Sequence, residues 1–314
     1  MTKKVIVIAG PTASGKTALA VALARELGGE VVSADSMQVY RGMDIGTAKA
    51  TESERAGIPH HMLDVADPRS PYSVAQYVDD AARCCEDILS RGLVPIIAGG
   101  TGLYIDSLLS ARDFAETDES RAVRARLQTE YAALGGEAML ARLSAVDPER
   151  AAKLAANDAR RIIRALEIYE LTGETATAHD ERTRALPPRY DAARIVLNCK
   201  NRADLYARID ARVDEMAARG LFDEVGRLLS SGVDKNGTAM QAIGYKEAAL
   251  ALAGEITRED ALVQIKLASR RYAKRQLTWF RRWEGAKWIE WEGAPDLFRA
   301  RQLSTDFIRN CGIS

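Results

Sequence analysis

VIVIAGPTASGKTALAVALARELGG, residues 5–29, decides the fold. Residues 5–9 form an apolar run of strand-forming residues, and residues 17–27 carry apolar side chains at helical spacing. Between them stand Gly10, Pro11, Thr12, Ala13, Ser14, Gly15, Lys16 and Thr17, with the spacing G-x-x-x-x-G-K-[ST]. A glycine-rich turn opening onto a helix N-terminus presents backbone N–H groups and the positive end of the helix dipole to an anion. Lys16 adds a mobile positive charge, and the Thr17 hydroxyl suits a magnesium ligand. This stretch therefore predicts a phosphate-holding loop at the C-terminal end of the first strand of a parallel sheet.

The pattern repeats outward from there. EVVSADS and LVPIIAGG read as further buried strands, and SVAQYVDDAARCCEDILSRG between them reads as a helix ended by Gly92. Fully apolar strands alternating with helices predict a P-loop NTPase-like parallel sheet covered on both faces, with ligands at the C-terminal strand ends. From residue 113 to about 185 only helical patterns occur. One of them is NDARRIIRALEIYELTG, capped by Asn157 or Asp158 and stopped at Gly173. A strand, IVLNC, and mostly helical chain then follow. The expected organisation is an α/β core of residues 1–112 and 190–314 interrupted by an all-helical insertion, 113–189.

Composition narrows the class. The 44 basic and 44 acidic residues cancel, so any polyanion must be held by local clusters. Cys84, Cys85, Cys199 and Cys311 show neither C-x-x-C nor zinc-ligand spacing and read as reduced thiols of a cytoplasmic protein. No apolar run approaches the roughly 20 residues of a membrane span. His60 and His61 lack a partner at metal-ligand spacing and read as structural.

Candidate chemistry gathers at the predicted strand ends. Asp35, at the tip of VVSAD, is the one carboxylate expected beside the phosphate loop. It is either a turn-capping residue or a chemical one. It opens DSMQVYRGMDIGTAK, a long polar loop of the kind that carries function. IKLASRRYAKRQLTWFRRW places Lys266, Arg270, Arg271, Lys274, Arg275, Arg281 and Arg282 on a helix with no acidic residue. Leu262, Ile265, Tyr272, Trp279 and Trp283 mark its packed face. Such a basic face suits RNA phosphates, and the aromatics read as core. The insertion adds Arg121, Arg124 and Arg126, then Arg160, Arg161 and Arg164.

With these residues in place, the chain resembles a known family. GPTASGKT, SADSMQVYRGMDIGTAK, GIPHHMLDV, AGGTGLYI, NDARRIIRALEIYELTG, QAIGYKE and RYAKRQLTWFR stand in the order found in tRNA dimethylallyltransferases, also called tRNA isopentenyltransferases. The resemblance spans residues 10–283, and DSMQVYRGMDIGTAK followed by AGGTGLY is its most specific part. It implies transfer of a dimethylallyl group from dimethylallyl diphosphate to N6 of the adenosine 3′-adjacent to the anticodon, with magnesium. Asp35 matches the general base, Thr101 a threonine at the reacting centre, and Lys16 and Arg212 diphosphate ligands, with Arg208 one turn from Arg212. Ser36, Met37, Gln38, Arg124, Arg160, Arg161, Ile162, Ile163 and Arg164 match positions that hold the anticodon stem-loop. So do Gln241, Ala242, Ile243, Gly244, Tyr245, Lys246, Arg270 and Lys274. A C-terminal zinc finger, carried by eukaryotic relatives, cannot be built from the lone Cys311, so the resemblance is to the shorter bacterial form, expected to be monomeric. Three other readings stay open on the residues alone: a nucleotide or metabolite kinase, an adenylate dimethylallyltransferase, and an RNA-binding module with an idle phosphate loop.

Overall fold

The computed structural model describes residues 3–110 and 118–313. The chain divides into a unit of Met1–Leu109 with Arg189–Ser314 and a second unit of Ser110–Pro188. The boundary expected at residue 112/113 lies outside the described residues.

The larger unit is built on a sheet of β1 (Lys4–Ala9), β2 (Gly29–Ser33), β3 (His60–His61), β4 (Val94–Gly99), β5 (Asp191–Cys199) and β6 (Lys287–Trp291). Their order is β3-β2-β4-β1-β5-β6, and every pairing is parallel. Strands β3 and β6 were not expected. His60 and His61 are too few to give a periodic signal, and KWIEW is a short edge strand read as part of a helical tail. Val5, Ile6, Val7, Ile8 and Ala9 are fully buried, as a central strand covered on both faces requires.

The helices of this unit are α1 (Lys16–Leu27), α2 (Glu52–Arg55), α3 (Val74–Ser90) and α4 (Gly102–Leu109). Helices α5 (Asp118–Leu134), α6 (Gly136–Val146), α7 (Pro148–Ala151), α8 (Ala159–Thr172) and α9 (Ala176–Ala185) make up the second unit. The larger unit resumes with α10 (Arg202–Ala218), α11 (Leu221–Ser230), α12 (Tyr245–Leu252), α13 (Arg258–Phe280) and α14 (Leu297–Asn310). Among the described residues no helix is long and apolar enough to cross a membrane.

Two apolar clusters of the larger unit bear on the site. Ile6, Ile8, Leu19, Leu23, Ile96, Ile195, Leu197 and Ile308 pack α1 and α14 on the sheet. Val39, Tyr40, Met43, Leu221, Val225 and Tyr245 join the loop after β2 to α11 and α12. That loop has little regular structure, so its backbone donors need partners elsewhere. Glu224, 3% exposed, supplies them: its carboxylate accepts N–H bonds from Asp44 (3.0 Å), Ile45 (2.8 Å) and Gly46 (3.1 Å). Tyr245 donates its hydroxyl to the same carboxylate. Buried Lys49 clamps the other side, bonded to the Tyr40 carbonyl, Asp44 and Asp64.

The second unit has its own core of Leu127, Met139, Leu143, Ile162, Leu166 and Ile168. Its NDARRIIRALEIYELTG helix begins and ends as expected, at Asp158 and at Gly173 in a left-handed conformation, but Asp158 makes no side-chain cap bond. It pairs with Arg161 at 3.2 Å instead.

Replacing Glu224 by alanine would leave three backbone N–H groups and a buried hydroxyl without an acceptor. The larger unit should lose roughly 3–5 kcal/mol, read as a lower midpoint in denaturant unfolding. A loss under about 1 kcal/mol would show that other groups hold this loop.

Candidate functional site

Sheet register brings the site together. Beyond the last paired residues of β2 and β4, the ladder continues: Ala34 N–H bonds the Ala98 carbonyl at 2.9 Å, and Thr101 N–H bonds the Ala34 carbonyl at 3.1 Å. Asp35 and Thr101 therefore leave adjacent strand ends. A Cβ at Gly99 would stand 2.1 Å from the Ala34 oxygen, so only glycine allows this approach. β1 lies on the other side of β4 and delivers the phosphate loop to the same edge.

In the loop, Ala13 (φ 61°) and Gly15 (φ 87°) are left-handed, and Gly15 caps α1 without a side-chain bond. Left-handed residues in such a turn aim successive N–H groups to one side, making an anion-binding concavity at the helix N-terminus. The Thr12 N–H is the exception, since it already donates to Gln276 Oε1 at 3.0 Å. That corrects the expectation that the Thr12 amide serves the phosphates. Ser14 Oγ is buried and unpartnered.

Lys16 and Arg212 lie within electrostatic reach of each other and of Asp35 at this edge, with Arg208 close to Arg212. Lys16 donates to the Pro11 carbonyl at 2.7 Å. Burial, and next the charge of Arg212, bring its pKa down to about 7, against the pull of Asp35. Burial also lowers the Arg212 guanidinium from its ordinary value, with Asp35 the leading opposing charge. Arg208 is lowered by burial as well, and its Nη1 is buried without an acceptor among the described residues. Buried cations short of partners are costly, and an anion arriving between them relieves that cost.

Asp35 does both things its sequence position allowed. One oxygen, Oδ1, accepts the Met37 N–H at 2.9 Å and the Gln38 N–H at 3.4 Å, closing the turn. The carboxylate is also within electrostatic reach of Lys16 and Arg212. Thr101 Oγ1 accepts the Ser36 N–H at 3.1 Å. The Gln38 side chain bonds Ser33 Oγ and the Thr47 carbonyl, and Met37 packs against the second core, so both serve the loop's own shape. Among the described residues no group of three His, Cys, Asp or Glu could hold a metal ion by itself.

Sequence reading missed two polar residues here. Tyr272, assigned to the packed face of α13, has its hydroxyl beside Thr101 and Gln276. Burial, then the charge of Asp35, push its pKa up to about 12. Gln276, one turn on, donates to the Gly100 carbonyl at 2.9 Å. The signal was available: a glutamine in an otherwise apolar stripe between Tyr272 and Trp279.

The basic surfaces differ from expectation. Arg270 is paired with Asp210 (Nε–Oδ1 2.9 Å) and Lys266 with Asp214 (2.6 Å), so α10 supplies the acidic partners α13 lacks. Arg271, Lys274, Arg275, Arg281 and Arg282 stay exposed, with Arg275 over Tyr272 and Arg282 over the Trp279 ring. Both indoles of the packed face donate to one carboxylate, Trp279 at 2.7 Å and Trp283 at 2.8 Å to Asp106.

In the second unit, Arg124 and Arg164 flank the fully buried Glu167. Arg126 pairs with Glu130 and Glu170. Ile162 and Ile163 lie in that unit's core, and Ala242 and Tyr245 in the second core of the larger unit. Ile162, Ile163, Ala242 and Tyr245 are thus core side chains, a correction that amphipathic spacing explains: the motif mixes inner and outer faces, whereas Arg124 and Arg164 pair with Glu167 and keep part of their side chains exposed. Gln241, Lys246, Arg160 and Arg161 are exposed; Ile243 is half-buried and Gly244 buried.

The depressed Lys16 has a measurable consequence. With its pKa brought down to about 7, Lys16 would be largely neutral in the empty loop at pH 8.5, and a bound anion should restore its proton. Calorimetric titration with inorganic pyrophosphate at pH 8.5, in buffers of different ionisation enthalpy, should show about one more proton taken up than by Lys16→Met. The difference should shrink below pH 7, and equal uptake at pH 8.5 would show that Lys16 is charged in the empty loop.

Comparison with known proteins agrees with this geometry. The family model described as IPP transferase matches residues 38–283, and one described as isopentenyl transferase matches residues 3–67. The tRNA dimethylallyltransferase of Thermoanaerobacter sp. (strain X514) is 47% identical over 310 residues, 98% of each chain. That of Carboxydothermus hydrogenoformans is 47% identical over 314 residues, 100% of this chain and 99% of its own. The crystal structure of tRNA delta(2)-isopentenylpyrophosphate transferase from Staphylococcus epidermidis superposes with a TM-score of 0.72 at 39% identity, covering 98% of this chain and 99% of that one. A eukaryotic dimethylallyltransferase acting on tRNA gives a TM-score of 0.82 at 31% identity, over 98% of this chain and 80% of that one. Sheet order, phosphate loop and strand-end residues thus coincide with a match along nearly the whole chain, and the chain belongs to the IPP transferase family, that of the tRNA dimethylallyltransferases.

Proposed function

We propose that the chain transfers the dimethylallyl group of dimethylallyl diphosphate to N6 of the adenosine 3′-adjacent to the anticodon (tRNA position 37), giving N6-isopentenyladenosine and diphosphate. The observation that carries this reading is the meeting of two desolvated cations, Lys16 and Arg212, with a single carboxylate, Asp35, and with half-buried Arg208 close to Arg212. An anionic leaving group and a proton acceptor are what an N-alkylation by an allylic diphosphate requires.

The bond broken is carbon–oxygen. As it lengthens, charge gathers on the diphosphate, where the loop N–H groups of residues 13–17, Lys16, Arg212 and Arg208 lie ready. Pro11 contributes the carbonyl that parks Lys16 beforehand. The adenine amine is a weak nucleophile because its lone pair is delocalised. It sheds a proton as the new C–N bond forms, and Asp35 Oδ2, which makes no turn bond, is the acceptor. Thr101 orients the reacting groups beside it. Since the described residues hold no ready-made metal cluster, magnesium fits only as a partner of the Thr17 hydroxyl and substrate phosphate oxygens, where it would offset diphosphate charge.

The target base must leave its loop for N6 to reach Asp35, with its surroundings held by backbone contacts. The exposed Arg271, Lys274 and Arg275 of α13 and Arg281 and Arg282 just beyond its end are the RNA contacts on the larger unit, with Gln241 and Lys246. Arg160 and Arg161 are those of the second unit. We place the protein in the cytoplasm, as a monomer.

Radiolabelled dimethylallyl diphosphate with magnesium and unmodified tRNA should label the tRNA, with AMP and ATP-dependent acceptors left unlabelled. Asp35→Ala should lower turnover about 10²- to 10⁴-fold while tRNA still binds. Consumption of ATP without labelling of tRNA would overturn the assignment. Binding of tRNA should weaken linearly in log–log salt plots. Lys274→Ala and Arg275→Ala should each flatten the slope by roughly 0.7–0.9, and the paired Arg270→Ala by much less. Equal effects at all three positions would mean that the Asp210 pair opens to RNA.

A further inference from the structure

Gln276 meets both sides of the site at once. Its side chain is 5% exposed. Both ends of its amide are used: Oε1 accepts the Thr12 N–H of the phosphate loop at 3.0 Å, and Nε2 donates to the Gly100 carbonyl at 2.9 Å. A Cβ at Gly100 would lie 2.1 Å from Nε2, so the glycine there makes room for the contact. The Tyr272 hydroxyl lies beside Gln276 and Thr101.

The sheet itself does not make this connection. β1 and β4 are paired through Ala9 and Gly99, after which the phosphate loop and the Gly100–Thr101 turn go separate ways. We infer that Gln276 is a positioning residue that ties these two segments together past the end of the sheet, setting the separation between the leaving diphosphate and the acceptor amine. The inference rests on the reading given under Proposed function. Transfer between two bound substrates depends on that separation, and a shift of about 1 Å can cost 10²-fold in rate.

The chemistry of the tie explains the residue type. A carboxamide presents an acceptor and a donor on one short planar group at every pH. An ionised carboxylate at this position would still accept from Thr12 but would turn lone pairs on the Gly100 oxygen. A protonated carboxyl would restore the donor. Burial raises carboxyl pKa values, which brings that protonation into an accessible range.

The test compares wild type, Q276E and Q276L as full-length chains from pH 5.5 to 8.5. The readouts are steady-state transfer to tRNA and calorimetric binding of inorganic pyrophosphate, with thermal unfolding of each variant. At pH 8.5 Q276E should show kcat/KM about 10²-fold below wild type, with KM for tRNA unchanged. The ratio to wild type should recover about tenfold by pH 5.5 as the carboxyl protonates. Pyrophosphate affinity should follow the same recovery, whereas Q276L should stay low with a flat ratio. A flat ratio for Q276E in both readouts, or losses that track unfolding, would overturn the inference. Pyrophosphate binding reports on the tie whether or not the wild-type chain prenylates tRNA, so failure of the enzymatic reading appears separately, as unlabelled tRNA with wild type.

Discussion

The approach of β4 to the end of β2 governs the rest of the larger unit. A hydrogen at the Gly99 α-carbon lets the Ala34 carbonyl come close enough to accept from Thr101, and every later placement follows from that contact. Asp35 leaves β2 beside Thr101, the intervening turn closes on Asp35 Oδ1, and the long loop beyond is free to wander because Glu224 and Lys49 hold its backbone. A methyl group at position 99 would force the two ends apart and with them the carboxylate and the phosphate loop.

Charge is arranged by the same logic of placement. The α10 helix brings Arg212 within reach of Lys16, while Asp210 and Asp214 on the same helix hold Arg270 and Lys266 of α13. The paired cations fasten two helices. The under-partnered ones carry a desolvation cost that only an incoming anion removes, which makes the empty site less comfortable than the filled one. In the second unit Arg124, Arg126 and Arg164 of α5 and α8 are engaged with Glu130, Glu167 and Glu170, so part of what reads as an RNA-binding surface in the sequence also ties helices together.

Legibility tracked locality. The phosphate loop, α1, β2 and β4 carry their periodicity and turn chemistry within a few residues, and they stand where the sequence places them. Asp35 was legible as a strand-end carboxylate because the strand before it is unambiguous. The edge strands β3 and β6 were not, being two and five residues long and specified by their neighbours more than by themselves. Partnerships across the chain were equally hidden: Asp210 with Arg270, Glu224 with residues 44–46, and Gln276 with Thr12 and Gly100 join segments separated by 60 to 264 residues. Residues such as Ile162 and Tyr245 sit inside recognisable motifs, yet their side chains serve the core, because a motif marks a segment and not a face.

All four tryptophans of the chain fall within residues 279–291. Trp279 and Trp283 share the Asp106 carboxylate, and Trp291 stands beside Gly15, where an added Cβ would meet its ring at 3.9 Å. Indole emission from this protein therefore originates wholly from β6, the neighbourhood of the phosphate loop and the C-terminal end of α13. The fold carries its own optical probe at the place where its substrates would meet, and none in the second unit.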